Sequence, residues 1–149
     1  MTNYRLTTVA ACRVARIDRQ RLNEMISQGD YRCAPETVPG RSRLFDEADL
    51  IALFVFARLV EDEVRPSRAG FLAFRILDGL RADPEANEIT IFHAMNNGMV
   101  RNINKPDSTA GLHLSGMAAL FTQTFNIETI RQIVRQGIDE ERGVIGEED

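Results

Sequence analysis

Apolar side chains recur with helical spacing near the start of the chain. Val9, Ala10 and Val14 give residues 9–14 one apolar side. Thr7 and Thr8 stand immediately before this segment, and threonine hydroxyls are common caps of helix N-termini. The pattern therefore predicts a first short helix.

A second short helix is predicted over residues 19–28. Asp18 precedes it as an N-cap, and Gly29 follows it, where glycine commonly ends a helix. Its apolar positions repeat at i, i+3 and i+4, at Leu22, Met25 and Ile26. The opposite side is polar. Two short helices with a tight connection at residues 15–17 and a polar outer face on the second are typical of a helix-turn-helix.

Two short extended pieces flank a loop after the second helix. The pieces are residues 31–34 and 42–45, and Pro35, Pro39 and Gly40 lie between them. Proline and glycine break helices and favour loops. The segment is therefore predicted to form a two-stranded wing.

A long apolar helix and a fourth helix are predicted next. Asp46 caps the first of them, with Asp49 three positions on, and that helix ends near Glu61. Its apolar residues cover almost the whole circumference and predict a central position: Leu50, Ile51, Leu53, Phe54, Val55, Phe56 and Leu59. Pro66 starts the fourth helix, which ends near Leu80. Its predicted inward side chains are Phe71, Leu72, Phe74, Ile76 and Leu77.

The hydrophobic period changes to two after residues 82–85, which we interpret as a domain boundary. Residues 88–95 and 99–103 are predicted to form a hairpin, because Asn97-Gly98 between them favours a tight hairpin turn. Residues 117–125 alternate and are predicted as a third strand, with a helix as the alternative.

A last helix is predicted over residues 127–141, after Asn126 as its cap. Its predicted inward side chains are Ile127, Ile130, Ile133, Val134 and Ile138. Residues 105–111 are predicted to be a loop and residues 147–149 a frayed acidic tail. The predicted fold class is α+β. Residues 1–81 form a winged helix-turn-helix of four helices and a two-stranded wing, and residues 82–149 form a small β-β-β-α segment.

Charge is distributed unevenly along the chain, whose formal net charge is −4. Residues 1–45 carry eight arginines and four acids, so this part is +4 and the remainder is −8. Lys105 is the only lysine, and the planar guanidinium of arginine suits phosphate and guanine. A basic front and an acidic back favour a chain that presents one face to phosphate. A GC-rich genome that encodes arginine by default is the alternative interpretation.

Composition narrows the class of protein. Hydrophobic residues make up 44% of the chain, which is enough for a core. No apolar run approaches the length of about 18 residues that spans a bilayer, and residues 1–6 lack a signal-peptide stretch. We therefore expect a cytoplasmic protein without a membrane partner. Cys12 is predicted to be a reduced, buried thiol, and Cys33 falls in the predicted wing, where it is open to exposure.

Catalytic and metal-binding patterns are not evident in the sequence. His93 and His113 are the only histidines, and neither has a cysteine or acidic partner at ligand spacing. No Ser–His–acid order or phosphate-binding loop occurs. We expect no enzyme activity, no metal and no cofactor, and we predict that His93 lies on a sheet face.

Candidate DNA-binding side chains lie on the second helix and on the returning strand of the wing. Arginine suits contacts to phosphate, and the amides of Gln20 and Asn23 match adenine edges. The predicted set is Arg19, Gln20, Arg21, Asn23, Arg41, Ser42 and Arg43. A solvated surface is the competing interpretation of these residues.

Four runs of sequence follow one order in the first half of the chain: residues 8–11, 17–23, 40–50 and 66–70. The third run contains arginine, any residue, arginine, any residue, an aromatic and an acid, and an apolar helix follows it. In these features the first half resembles the DNA-binding domain of the MerR family. The resemblance implies a winged helix fold, a homodimer, and binding to promoter or operator DNA.

The chain also departs from that family. Glu24 and Met25 stand where the family often has aromatic residues, and no long heptad helix follows Leu80 to form the usual dimer seam. We therefore expect a homodimer through residues 88–141. The leading interpretation is a sequence-specific regulator of transcription that binds double-stranded DNA, with an unknown effector or protein partner. The alternatives are a phage-type DNA-handling protein, such as an excisionase or a packaging small subunit, and a protein-interaction module.

Overall fold

The computed structural model describes residues 5–37, 39–41, 43–94, 100–103, 113–114 and 117–142, with the backbone alone at 94, 100–103, 113–114 and 117–119. This part of the chain is a mixed α+β structure of five helices and two antiparallel sheets. In chain order the elements are β1 (Leu6–Thr7), α1 (Thr8–Ala15), α2 (Arg19–Ser27), β2 (Leu44–Phe45), α3 (Glu47–Glu61), α4 (Pro66–Ala82), β3 (Glu88–Ala94), β4 (Val100–Ile103), β5 (His113–Leu114), β6 (Met117–Asn126) and α5 (Ile127–Arg142).

The two short N-terminal helices occur where the hydrophobic pattern predicts them. Leu22 and Met25 of α2 are buried, as expected, and the Asp18 side chain accepts a hydrogen bond of 2.9 Å from the Arg21 amide at the helix N-terminus. The predicted threonine cap of α1 is wrong. Thr7 occupies the N-cap position, but its side chain makes no capping hydrogen bond, and Thr8 is already helical.

The predicted strand over residues 31–34 is wrong. Tyr31 and Cys33 are buried in the core at 2% and 5% exposure, and the segment has no strand partner within the described ranges. β2 pairs with β1 instead, in antiparallel register. An extended chain that lies across a core buries alternate side chains whether or not it pairs with another strand. The alternation of Tyr31 and Cys33 therefore predicted a strand where the structure has an unpaired extended segment.

The third helix is central, as its apolar circumference predicts. Eight apolar side chains of α3 are buried: Leu50, Ile51, Ala52, Leu53, Val55, Phe56, Ala57 and Val60. Asp46 and Asp49 form the predicted capping box, in which each carboxylate accepts a hydrogen bond from the backbone amide of the other residue. Arg81 of α4 binds both carboxylates, at 2.8 and 2.9 Å, and so ties the end of α4 to the start of α3.

The fourth helix packs on α3. Ala69, Gly70, Ala73 and Gly79 are buried together with Leu72, Ile76 and Leu80. Phe71 and Phe74, predicted to point inward, are 40% and 45% exposed, so that prediction is wrong. A helix presents only one side to its neighbour, and the buried side of α4 carries Leu72, Ile76 and Leu80 rather than the two phenylalanines.

The second half contains a four-stranded antiparallel sheet in the order β4-β3-β6-β5. The predicted pairing of the first two strands is confirmed, with Ile91 opposite Asn102, and the third predicted strand pairs with β3 along its length. The short strand β5 was not predicted. The Asn97-Gly98 turn, the loop at residues 105–111 and the tail at residues 147–149 lie outside the described residues.

The last helix returns to the first half of the chain. Asn126 caps it, as predicted, by accepting a hydrogen bond of 3.1 Å from the Thr129 amide. Its buried residues Ile127, Val134 and Ile138 belong to the same core as α1 and α3. Ile133, predicted to point inward, is 40% exposed, so that prediction is wrong.

The core therefore continues across residues 82–85. Arg13 of α1 binds Glu141 of α5 through two nitrogens at 2.8 and 3.0 Å, and Arg135 of α5 binds Glu47 of α3. The division of the chain into residues 1–81 and 82–149 stays a prediction, and the described contacts cross it. Within the described ranges, no helix combines the length and apolar character needed to cross a membrane.

Candidate nucleic-acid interface

A tight turn sets the direction of α2 relative to α1. α1 ends at Ala15, and Arg16 adopts a left-handed conformation with φ 59°. The amide of Ile17 donates a hydrogen bond of 3.0 Å to the Cys12 carbonyl. Only residues 16–18 separate the two helices. Leu22 and Met25 of α2 are buried in the core, so the opposite side of the helix faces outward.

The outward side of α2 is polar throughout. The exposed residues are Arg19, Gln20, Arg21, Asn23, Glu24, Ser27 and Gln28. A shallow open groove runs along this side, and Arg19, Gln20 and Asn23 contribute to it. Arg21 is exposed on the other flank of the helix and does not line the groove. The structure thus brings together three of the four predicted residues of α2.

Three further residues share this groove and were not in the predicted set: Glu24, Ser27 and Gln28. Glu24 and Ser27 lie four positions after Gln20 and Asn23, so helical spacing places each of them beside a predicted residue. Glu24 puts a carboxylate among the donors. That oxygen pair can accept a hydrogen bond from the exocyclic amine of cytosine, and it repels phosphate.

The predicted residues of the loop before β2 are in different environments. Arg41 is exposed. Arg43 is half-buried, and its guanidinium donates a short hydrogen bond to the Pro35 carbonyl within the same loop. Ser42 lies outside the described residues. DNA contact by Arg41, Ser42 and Arg43 stays a prediction.

The two cysteines are buried free thiols. Burial raises the pKa of Cys12 to about 11, against the opposing charge of Arg19, and raises the pKa of Cys33 to about 12. Both therefore stay protonated at neutral pH and are poor nucleophiles. The prediction for Cys12 is confirmed, and exposure of Cys33 is wrong because the chain around it covers the core.

His93 lies on the sheet face that packs against α4, as predicted for a sheet-face residue. Its Nδ1 is 3.3 Å from an Arg68 nitrogen and its Nε2 is 2.7 Å from the Gln123 side-chain oxygen. A guanidinium only donates, so Nδ1 accepts and Nε2 carries the proton. Burial, opposed by the Gln123 hydrogen bond and aided by the Arg68 charge, lowers the pKa of His93. Among the described residues, no three potential ligands are grouped to hold a metal ion.

Comparison of the chain with protein-family models found no match, and comparison with curated proteins found none either.

Proposed function

We propose that this protein is a sequence-specific regulator of transcription that places α2 in the major groove of duplex DNA. The observation that carries the proposal is the outward side of α2, where Gln20 and Asn23 lie beside Arg19 in one groove. Amide side chains pair with adenine edges and arginine pairs with guanine or phosphate. A capped helix after a tight turn is also the element that a helix-turn-helix inserts into DNA.

Charge supports the same orientation. The chain is acidic overall, but its first 45 residues carry +4. Some of the acidic side chains after residue 45 are paired within the fold, as Glu141 is with Arg13 and Glu47 is with Arg135. Phosphate contacts release counterions, so binding should weaken steeply with salt. If about six phosphates are neutralised, affinity should fall about a thousandfold between about 50 and 200 mM salt.

The proposal is tested by selecting bound sequences from a randomised duplex library with the full chain. A recurrent motif is expected. Asn23→Ala should then weaken binding to the selected site by about 1–3 kcal/mol and change binding to unrelated duplex much less, because base contacts carry the sequence information. Arg58→Ala is the matched control, since Arg58 is an exposed residue of α3 paired with Glu61. Failure to enrich any sequence and to bind any duplex would refute the proposal.

A substitution of Glu24 is expected to change DNA affinity in the opposite direction. Glu24→Gln removes the one carboxylate of the groove and keeps its size, so binding to unrelated duplex should strengthen. If the selection enriches no motif but the protein binds duplex DNA tightly and in a salt-dependent way, an architectural DNA-handling protein is favoured over a regulator.

The proposal includes a homodimer formed through residues 88–141. One helix of this length contacts only a few base pairs, so a specific site generally needs two copies. β4 and β5 are the outer strands of the four-stranded sheet, and an outer strand can pair across a two-fold axis. Light scattering of the full chain should give twice the monomer mass, and a two-fold symmetric motif should emerge from the selection. A monomer at tens of micromolar would contradict this part of the proposal.

A further inference from the structure

A cavity of about 260 Å³ lies between the end of α2 and the first turns of α4. Phe71 and Phe74 form its apolar wall, one turn apart on α4, and the rest of the lining is Gly29, Asp30, Arg32, Ser67 and Gly70. The two phenylalanines are 40% and 45% exposed. Leaving two large aromatic side chains exposed in one place is unfavourable in water, so the wall is suited to an apolar group.

The polar side of the cavity carries both signs of charge. Asp30 is half-buried, and its carboxylate has no ion-pair or hydrogen-bond partner within the described part of the chain. Arg32 is exposed, and its Nε donates to the Gly29 carbonyl at 3.4 Å. That contact holds the guanidinium at the cavity while its terminal nitrogens have no described partner. An unpaired anion and an unpaired cation therefore line the same apolar cavity.

We infer that this cavity binds a free α-amino acid with a large, preferably aromatic, side chain. The side chain packs on Phe71 and Phe74, the carboxylate meets Arg32, and the ammonium group meets Asp30. A ligand with one charge would leave the other protein group unmatched, whereas a zwitterion matches both. The volume is slightly below the range of about 300–1,000 Å³ for sites of drug-sized molecules, which suits a ligand of amino-acid size.

The position of the cavity connects it to the DNA-binding surface. Gly29 and Asp30 follow Gln28, the C-cap of α2, and their amides donate hydrogen bonds of 3.0 and 2.9 Å to the carbonyls of Ile26 and Met25. A ligand bound by Asp30 and Arg32 therefore lies next to the last turn of α2. The expectation that the bound amino acid changes the affinity for DNA rests on the proposed function. The expectation that the cavity binds an amino acid does not.

The chain contains no tryptophan, so L-tryptophan itself is a fluorescent probe without protein background. Its fluorescence anisotropy should rise and saturate as the full chain is titrated in. Tryptamine lacks the carboxylate and indole-3-propionate lacks the ammonium group. Each should bind about tenfold more weakly or worse, because each loses one charge-assisted contact. L-Alanine, which lacks the ring, should not compete at equal concentration.

Two variants assign the charges. Arg32→Gln should weaken L-tryptophan and indole-3-propionate but leave tryptamine unchanged. Asp30→Asn should weaken L-tryptophan and tryptamine but leave indole-3-propionate unchanged. Phe74→Ala should weaken all three, and Arg58→Gln, on α3 away from the cavity lining, should weaken none. Far-ultraviolet circular dichroism of each variant confirms that the fold is kept, since Arg32 and Phe74 are both exposed.

The inference is overturned if L-tryptophan does not bind at millimolar concentration. It is also overturned if indole-3-propionate or tryptamine binds as tightly as L-tryptophan, because the zwitterion is then not what the cavity recognises. If L-tryptophan binds with this pattern and no duplex is bound, the cavity assignment stands and the proposed function fails. A shift in DNA affinity that Arg32→Gln abolishes would link the two.

Discussion

Tyr31 carries its hydroxyl into the core beside the Cys33 thiol, a weak hydrogen-bonding group, and among the described residues the oxygen forms no hydrogen bond of good geometry. The ring is 2% exposed and packs on Phe56 with centroids 4.5 Å apart. Burial, with Cys33 and Asp49 nearby, raises the pKa of Tyr31 well above its usual value, so the hydroxyl stays neutral. The ring therefore supplies the stabilisation, and the oxygen opposes it.

Tyr31→Phe should leave the free energy of unfolding unchanged or raise it by up to about 1 kcal/mol, because an unsatisfied polar atom leaves the core. Tyr31→Ala, which removes the ring, should lower it by about 3–5 kcal/mol. Urea unfolding of the three proteins at one pH measures both changes. If Tyr31→Phe instead lowered the free energy of unfolding by more than about 1 kcal/mol, the hydroxyl would have a hydrogen-bond partner in the core.

Asp46 and Asp49 have opposite pKa shifts within one capping box. Burial raises the pKa of Asp49 from 3.8 to about 6, and with the neighbouring Asp46 charge it outweighs the hydrogen bond from the Asp46 amide and the Arg81 charge, which both act to lower the pKa. Burial alone would raise the pKa of Asp46 as well, but hydrogen bonds from Arg81 and from the Asp49 backbone outweigh it, so its pKa is lowered. Asp49 therefore stabilises the fold best when protonated, and Asp46 when ionised.

The pH dependence of stability should separate the two carboxylates. The contribution of Asp49 is fully present below 3.8 and is lost as the pH rises through about 6. As the pH rises between these two values, the free energy of unfolding of the wild type should fall relative to that of Asp49→Asn. The contribution of Asp46 is present above 3.8 and is lost on acidification, so Asp46→Asn should be destabilised mainly at neutral pH. Urea unfolding across this pH range is the measurement, and parallel curves for all three proteins would contradict the assignment.

At the scale of elements, α5 approaches α1 closely because position 137 is glycine. A Cβ atom at Gly137 would lie 2.8 Å from Cγ1 of Val14. Arg13 and Glu141 pair across the same contact. α5 therefore packs against α1, the helix that precedes the tight turn to α2, and stabilises its position.

Gly137→Ala should lower the free energy of unfolding by about 1–3 kcal/mol, because the added methyl group forces the two helices apart or shifts Val14. Val14→Ala removes the obstructing methyl groups. The double variant should therefore lose less stability than the sum of the two single variants. Thermal unfolding of all four proteins tests this, and strict additivity would show that the two side chains do not meet.

Several elements follow from local sequence alone. The polar cap and the apolar stripe of α2, the capping box of α3, and the Asn126 cap of α5 each involve residues within one or two turns. Short-range interactions therefore favour these elements where they occur. The segment at residues 31–34 is different, since its alternating pattern suits a strand and an unpaired extended segment equally.

At the scale of the whole molecule, one core joins the two halves of the chain. Ile127 and Val134 are fully buried and Ile138 is 3% exposed, in contact with a core that α1 and α3 also build. Each such side chain contributes about 1.5–3 kcal/mol through burial. Their sum is on the order of 5 kcal/mol or more, which is comparable with the stability of a typical domain.

A fragment of residues 1–81 should therefore lose most of its cooperative unfolding transition, because it lacks α5. A fragment of residues 1–142, which omits the last seven residues of the chain, is the matched control and should unfold like the full chain. Circular dichroism during heating measures both. A cooperative transition of residues 1–81 near that of the full chain would show that the first half folds independently.

The sequence by itself determined the α+β class, the bounds of five helices to within two residues, the antiparallel hairpin and the polar side of α2. These features follow from periodicity and capping, which act over a few residues. It also determined which residue types α2 presents, because Leu22 and Met25 fix the buried stripe and leave Gln20 and Asn23 on the other side.

Only the tertiary structure decided which side chains reach the core from a distance. Phe71, Phe74 and Ile133 are as apolar as the buried residues, but each lies outside the buried side of its helix. The same holds for the cavity at Asp30 and Arg32, which exists because the end of α2 meets α4. Contacts between segments tens of residues apart depend on how whole surfaces fit, and that information is not contained in any local pattern.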